Sequence, residues 1–594
     1  SATGNTITIT GGNPGTVTGG AGVTGASENT VIISGGTVSS PEDFVPIVTG
    51  GMASTGDADG NTVTISGGEV TGGIGIYGGF TTEGDANSNT INVSGGTLDT
   101  DIYGGQTYDG AADNNTINIL AGDLNPEMSL YGGYGTTESK NNTYNMYTKG
   151  QTVADFAYFQ NLNFYVPEGT TAGETMLTVT GNAAVDADTT LAAVQNSTTT
   201  DGTMDVSGAT VFGGVQRNTK LNPGEYINLL YNANGITTDD TSYGTIDGLD
   251  TVTSAGFINY KAIVEKKDAN TIVITIPKDE KGTSDTDTKI LPEDRENAAN
   301  TIKNAGDIIA GSALHAAEDA WIENHDIEAK FVPYAIVGGY DLHYNTGSYI
   351  DSNGMAANVG FVRRSQHEGH IDTIMPFFEY GRSNYTSHLD DGARADGDQH
   401  YTGAGVLYRR DRKDGLHYEA LVRAGHLSGD FKGKIDGYDA SYDSGAPYIA
   451  AIAGLGKVVT RDTNSLDYYG KFFWTHLGSD NVRIDNTLGS SRYDFDSIDS
   501  YRTRLGVRWT KDISDIGSCY AGIGWDYEFD SKARASYRSF NTPSPSAEGS
   551  SGFLELGWKS RLTKENPWGA DVNVTGWAGK QRGVTYTLSV SRAF

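Results

Sequence analysis

One phrase recurs through the first 150 residues and constrains the fold more than any other feature: Asn-Thr, two apolar residues one position apart, then Gly-Gly. Its Asn-Thr pairs begin at Asn5, Asn29, Asn61, Asn89, Asn115 and, more loosely, Asn142. A second unit, Thr or an aromatic residue followed by Gly-Gly, falls between them at Thr18, Thr49, Tyr77, Tyr103 and Tyr131, and again at Phe212. A period of this length marks a stacked repeat. Each unit reads as two or three short strands, such as 62–66 and 90–94, with period-two alternation and Gly-Gly corners. One unit cannot bury its apolar face, but stacked units can. Residues 1–280 therefore predict a Gly/Thr/Asn-rich parallel β-solenoid with Ile65, Val93 and Ile117 inside and Asn and Thr in ladders along it. A disordered low-complexity tract does not require this alternation. From about 151 to 277 the repeat decays, although 175–180, 204–208 and 271–276 still read as strands.

Composition splits the chain. Residues 1–280 hold 8 basic and 31 acidic residues, the rest 34 and 43, and all seven tryptophans lie in the second part. A polar, turn-rich stretch at 281–290 marks the boundary. Pro292, followed by Glu293, Asp294 and Glu296, predicts a helix start with acids at the positive dipole end. Between 292 and 326, Ala298, Ile302, Ala305, Ile309, Ala313, Ala316 and Ala320 recur at helical spacing. The face Ala305, Ile309, Ala313 and Ala316 is small enough for a narrow space, although a surface amphipathic helix has the same pattern. The linker and this helix occupy 281–330.

From 331 to 594 the period returns to two, in twelve runs. Arg504, Gly506 and Arg508 alternate with Leu505, Val507 and Trp509, and Asp526 and Glu528 with Trp525 and Tyr527. A soluble barrel would put its apolar residues inside; charge on one face of many strands suits a wet lumen and a lipid-facing exterior. No apolar run reaches the ~18 residues of a transmembrane helix. Short connections at 365–369, 411–414, 461–465, 512–516 and 564–567 alternate with longer ones expected at 345–353, 387–398, 433–444, 480–499 and 531–548, as in outer-membrane barrels.

The chemistry-bearing motifs are weak. Gly73-Ile-Gly-Ile-Tyr-Gly78 matches a phosphate-cradling pattern, but a solenoid corner follows it where a dinucleotide site needs a helix. The acidic loops 57–59 and 85–88 lack a calcium-binding nonapeptide and read as solvated. His367 and His370 flank a short turn without a third ligand in the sequence and read as exposed loop residues. No serine-hydrolase elbow occurs. The net charge of −32 argues against a nucleic-acid partner. No cofactor, metal or catalytic residue is expected, and Cys519, the single cysteine, leaves no intramolecular disulfide.

The solenoid, the small-residue helix and twelve amphipathic strands ending at Phe594 together resemble a monomeric autotransporter of the type V secretion class, over the whole chain. The last strand is similar to that family's barrel-assembly signal, carried onto Tyr586, Leu588, Val590 and the terminal Phe594; Arg592 departs from the apolar pattern. The resemblance implies an outer-membrane barrel contacting lipid, folded with the barrel-assembly machinery and periplasmic chaperones, that exports residues 1–280 to the cell surface and is then plugged by the helix. It also implies a secretory leader, which Ser1-Ala-Thr-Gly does not supply, so the chain is read as mature or trimmed. Asn300 and Asn304 lie in the element where some members cut themselves, but their flanks do not match, and a covalently retained passenger is expected. The passenger is expected to be adhesive or self-associating, meeting an unknown receptor or itself, with Tyr77, Tyr103 and Tyr131 stacked as a surface ladder at one per coil. The alternatives are a hydrolase or lyase passenger, or a barrel that acts as a porin.

Overall fold

A computed structural model describes all residues except 41–44, 138, 182–197, 200, 316–330, 515–516, 561–567 and 593–594. The chain divides into two compact units: residues 1–254 with 259–282, and residues 255–258 with 283–594.

The first unit is a solenoid. Nine strands form one parallel sheet, from Thr6–Thr10 through Thr62–Gly72, Thr90–Asp99 and Thr116–Leu124 to Ser242–Thr245, and six form a second from Val17–Gly22 to Asp155–Ala157. Apolar residues stack in register: Ile65 lies opposite Val93, which lies opposite Ile119, while Ile117 belongs to the neighbouring row with Ile91 and Val63. All six are 0% exposed.

The recurring Asn and the recurring Gly-Gly answer one steric problem. Asn29, Asn61, Asn89, Asn115 and Asn142 are fully buried. The Asn89 Oδ1 accepts from the backbone N–H of Asn61 at 2.9 Å and from its Nδ2 at 3.1 Å, and the Asn89 groups donate likewise to Asn115 Oδ1. The ladder thus satisfies buried amides that the corners leave unpaired. The glycine pair makes room for it: a Cβ on Gly78 would stand 2.7 Å from Asn89 Cβ, and one on Gly79 2.6 Å from Asn89 Nδ2. Where the phrase decays, the architecture changes, and Tyr226–Tyr231 pairs antiparallel with Thr271–Thr275, which pairs antiparallel with Ile263–Asp268. Met204–Asp205 is a strand of only two residues, shorter than 204–208.

In the second unit, a helix spans Ile290–Ile308 and continues through one π-turn, Ile309–Ala313. It starts two residues before Pro292, on a 3₁₀ turn, Thr286–Lys289, whose Asp287 amide is capped by Asp285, so Pro292 sits in the first turn, where its missing N–H costs nothing. The predicted continuation to 326, with Ala316 and Ala320, lies outside the described residues.

Twelve antiparallel strands close into a barrel, from Val332–Asn345 to Gln581–Arg592, the first paired with the last through Val337 and Leu588. The connections differ from expectation at three places. Residues 345–353, 387–398 and 433–444 are largely strand, and only 346–348, 389–393 and 436–437 lie between them. Polar composition suggested loops there, but inward residues such as Ala395, Phe431 and Tyr442 keep the alternation going beyond the apolar band. Phe431 and Tyr442 stack across the hairpin at 4.7 Å. The long connections 480–497 and 531–548 are themselves folded, into a four-stranded sheet of Asp480–Asn486, Gly489–Phe495, Ala535–Tyr537 and Phe540–Asn541.

Candidate functional site: a lumen occupied by a helix

Period-two alternation puts every second barrel residue inside, and the inward set is polar. Arg502, Asp526, Glu528, Glu379, Arg423 and Glu555 are each at most 6% exposed, whereas Phe378, Ile523, Leu554 and Leu556 on the outer face are 56–69% exposed. An apolar exterior of this extent has no place in water and matches the lipid-facing band of a membrane barrel. No described helix is long and apolar enough to cross a membrane.

The helix lies inside this polar wall and is buried on all sides from Ile290 to Gly306. Its small face works as the spacing implies at Ala305, Ile309 and Ala313, each at most 1% exposed. Ala298, Ala299, Ile302 and Ala305 pack with Tyr401, Leu427 and Tyr448, while Ile309, Ala310 and Ala313 pack with Phe377, Leu407 and Phe473. Ala316 lies outside the described residues.

The polar residues of the helix, which the periodicity does not single out, bind the wall. Asp307 receives Arg502 through both carboxylate oxygens, at 2.5 and 3.0 Å, and Arg504 at 2.9 Å. Lys303 reaches Glu528 and Ser531, each at 3.1 Å. Asp294 accepts from Tyr385 at 2.8 Å and Gln399 at 2.6 Å, and Glu293 accepts from Thr346 and Ser348. The wall also holds helix carbonyls: Arg423, itself paired with Glu379, donates to Ile302, and Lys471 donates to the carbonyl of Ala310 in the π-turn at 2.5 Å. A helix that sheds water on every side must pair its charges, and this one does so along most of its length. The signal available in the sequence was the alternation of Arg502 and Arg504 on the polar face, which only three-dimensional pairing connects to Asp307. Asn304 donates to Tyr344 at 2.7 Å. Asn300, 1% exposed, has neither amide atom hydrogen-bonded in the structure.

On the closing strand, Tyr586, Leu588 and Val590 point outward, 54%, 45% and 43% exposed, opposite Gly339, Val337 and Ala335 of the first strand. The Tyr586 ring covers Gly339, where a Cβ would stand 2.7 Å from its Cε2. Phe594 lies outside the described residues.

In the solenoid, Tyr77 and Tyr103 stack with centroids 4.7 Å apart and planes 7° from parallel, and Tyr103 and Tyr131 at 4.8 Å. Where the sequence suggested an exposed stripe, Tyr77 is only 2% exposed and Tyr103 and Tyr131 are half-buried. Phe80 turns its ring edge-on to Tyr77 at 5.4 Å and to Tyr108 at 5.8 Å, so neighbouring rings cover the ladder. Burial pushes all three phenols well above their ordinary range.

Residues 337–574 match the family model described as autotransporter beta-domain. No curated protein matches the chain. Among solved structures, the chain is similar to the beta domain of the Bordetella autotransporter BrkA, at 16% identity and TM-score 0.36 over 44% of this chain and 99% of that one. It is similar to the translocator domain of NalP from Neisseria meningitidis at 15% identity and TM-score 0.36, over 50% of this chain and 99% of that one. The transport unit of AIDA-I from Escherichia coli gives 15% identity and TM-score 0.37, over 50% and 99%. The family match falls on a closed twelve-strand barrel with a polar lumen, an apolar exterior and a helix entering from the N-terminal side, and the C-terminal half of this chain is accordingly an autotransporter β-domain of the outer membrane, exporting the solenoid that precedes it to the cell surface.

Proposed function

We propose that the solenoid is an adhesive or self-associating passenger that stays covalently attached, held by the helix in the lumen. The observation that carries this reading is the aromatic flank of the solenoid. Behind the Tyr77–Tyr103–Tyr131 stack, Tyr158 lies 6.1 Å from Tyr131 and edge-on to Tyr134 at 5.4 Å, and Tyr108 is 50% exposed. The half-buried and exposed members offer amphipathic contact area that protein interfaces favour, while the buried Tyr77 anchors the row. The same flank has two separable roles, and substitutions divide them. Tyr108→Ser, at the half-exposed ring outside the stack, should reduce cell-cell aggregation or host-cell binding with little change in passenger melting temperature. Tyr77→Ser should lower that temperature. Unchanged aggregation with Tyr108→Ser removes the adhesive assignment from this flank.

The wall contacts of Asp307 and Lys303 support the helix as a plug and as a tether. Tyr586, Leu588, Val590 and Phe594 are assigned to recognition by the assembly machinery on the strength of the family resemblance, and the outward, lipid-facing row on the closing strand is compatible with it. A hydrolase or lyase passenger has one observation in its favour. Asp101 lies beside the tyrosine ladder with its carboxyl raised by burial, a backbone hydrogen bond from Ser129 opposing and Asp155 adding to the rise. However, Asp101 accepts the Ser129 amide at 2.6 Å, and Asp155 accepts from Phe156, Thr198 and Tyr131. Both carboxylates are thus engaged in holding the coils, which favours the adhesive reading.

A further inference from the structure

The turn between Tyr349–Gln366 and His370–His388 supplies what the sequence lacked at His367 and His370, a third ligand. The turn is closed by the His367 N–H donating to the His370 carbonyl at 2.9 Å, and the Lys413 N–H donates to the Gly369 carbonyl at 3.1 Å. Asp372 follows His370 by two residues and so shares its face of the strand. Its Oδ2 lies 3.4 Å from His370 Nε2 and 3.6 Å from His367 Nε2, and the imidazoles stack with centroids 4.7 Å apart. The three donor atoms all fall within 4.8 Å of one another. Ligand atoms about 2.0–2.2 Å from one tetrahedral ion stand roughly 3.3–3.6 Å apart, so the carboxylate-to-imidazole spacings already match those of a coordination shell.

We propose that His367, His370 and Asp372 form a binding site for a borderline divalent cation, Zn²⁺ being the probe of choice, at the barrel end where the chain enters its first strand and leaves its last. Two imidazoles and one carboxylate are the ligand types that such ions take, and three protein ligands leave a position open to water. Asp372 is fixed from behind: its Oδ1 accepts from Arg410 Nε at 2.7 Å and Tyr408 at 2.9 Å, and its Oδ2 from Arg410 Nη2 at 3.0 Å. Those partners orient the carboxylate as outer-shell groups orient metal ligands, and the arginine's charge also weakens its pull on a cation. The side chain of His367 is half exposed, so closing its imidazole onto the ion disturbs little beyond its stack on His370. The ion would pin the turn to the strand behind it.

The test uses the full chain in detergent micelles, stripped with a chelator and titrated with Zn²⁺ against a chromophoric competitor. The wild type should take up one equivalent that the double variant His367→Ala/His370→Ala does not, with each single variant at least about tenfold weaker. Co²⁺ should give visible d–d absorption bands in the wild type alone. Retained heat-modifiable mobility on gels shows that the variants' barrels are folded. Equal uptake by wild type and double variant, or no stoichiometric uptake by the wild type, overturns the proposal and leaves the cluster as histidine–aspartate pairing.

Discussion

The solenoid and the barrel are written in the same period and folded inside out with respect to each other. In both, every second residue is apolar. In the solenoid those residues face inward, as Ile65, Val93 and Ile117 do, each fully buried. In the barrel they face outward, as Ile523 and Leu554 do at 65% and 56% exposure, while Asp526 and Glu528 are buried. The opposite faces decide the outcome. A solenoid interior is too narrow for water, so only apolar side chains and the self-satisfied Asn ladder fit there. A twelve-strand barrel encloses a space that side chains of the wall cannot fill, and its polar lining is completed by a helix that brings matching charges.

Substitution should do most damage at the charged centre of the barrel. Replacing Asp307 by Ala leaves Arg502 and Arg504 with Asp526 alone as a shared carboxylate, and removal of one partner of a buried pair costs at most about 3–5 kcal/mol. The expected readout is loosened docking, seen as protease access to the helix in outer-membrane fractions. In the solenoid the equivalent damage is a cavity. Ile117→Ala should cost the passenger about 2–5 kcal/mol in urea unfolding, whereas Leu554→Ala on the lipid face creates none and should leave the barrel's heat resistance nearly unchanged. A smaller loss is expected for Asn89→Ala, which strips the Asn61 amides of their acceptor and should cost about 1–3 kcal/mol.

The smallest effect is a pH difference confined to the solenoid. Burial raises the Asp101 carboxyl above its ordinary value of 3.8, so the folded state binds that proton more tightly than the unfolded one. Its contribution to stability is therefore present at low pH and is lost as pH rises through the raised value. Asp101→Asn keeps an oxygen for the Ser129 amide and should melt slightly higher than the wild type at pH 7, with the advantage vanishing below about pH 4.

Much of this was legible because one side chain sets one face. The Asn-Thr and Gly-Gly spacing carries the solenoid, since stacked identical units need no long-range information. The twelve runs carry the strand count, and the charges opposite Leu505 and Trp525 carry the wet lumen. The hairpin ends resemble loops in one dimension because Asp residues such as Asp396 and Asp439 face outward, while the inside is held by sparse apolar residues such as Ala395 and Tyr442 and by small polar ones such as Ser387 and Ser444. The helix's pairing partners were illegible for a different reason: Asp307 and Arg502 are 195 residues apart. The exposure of the tyrosine ladder was set by neighbours, Phe80 and Tyr108, that lie off its own period. Asp372 escaped notice as a partner of His370 because alternation makes it a neighbour only once the turn is known to end at His370.

The helix fills the barrel's polar lumen, and with it in place the pore should not conduct. Single-channel recording in planar bilayers tests it most directly, comparing the full chain with a chain lacking residues 292–326. A quiet full chain and a deletion that opens large, steady conductance steps is the predicted result. Equal conductance of the two, whether both open or both closed, contradicts it.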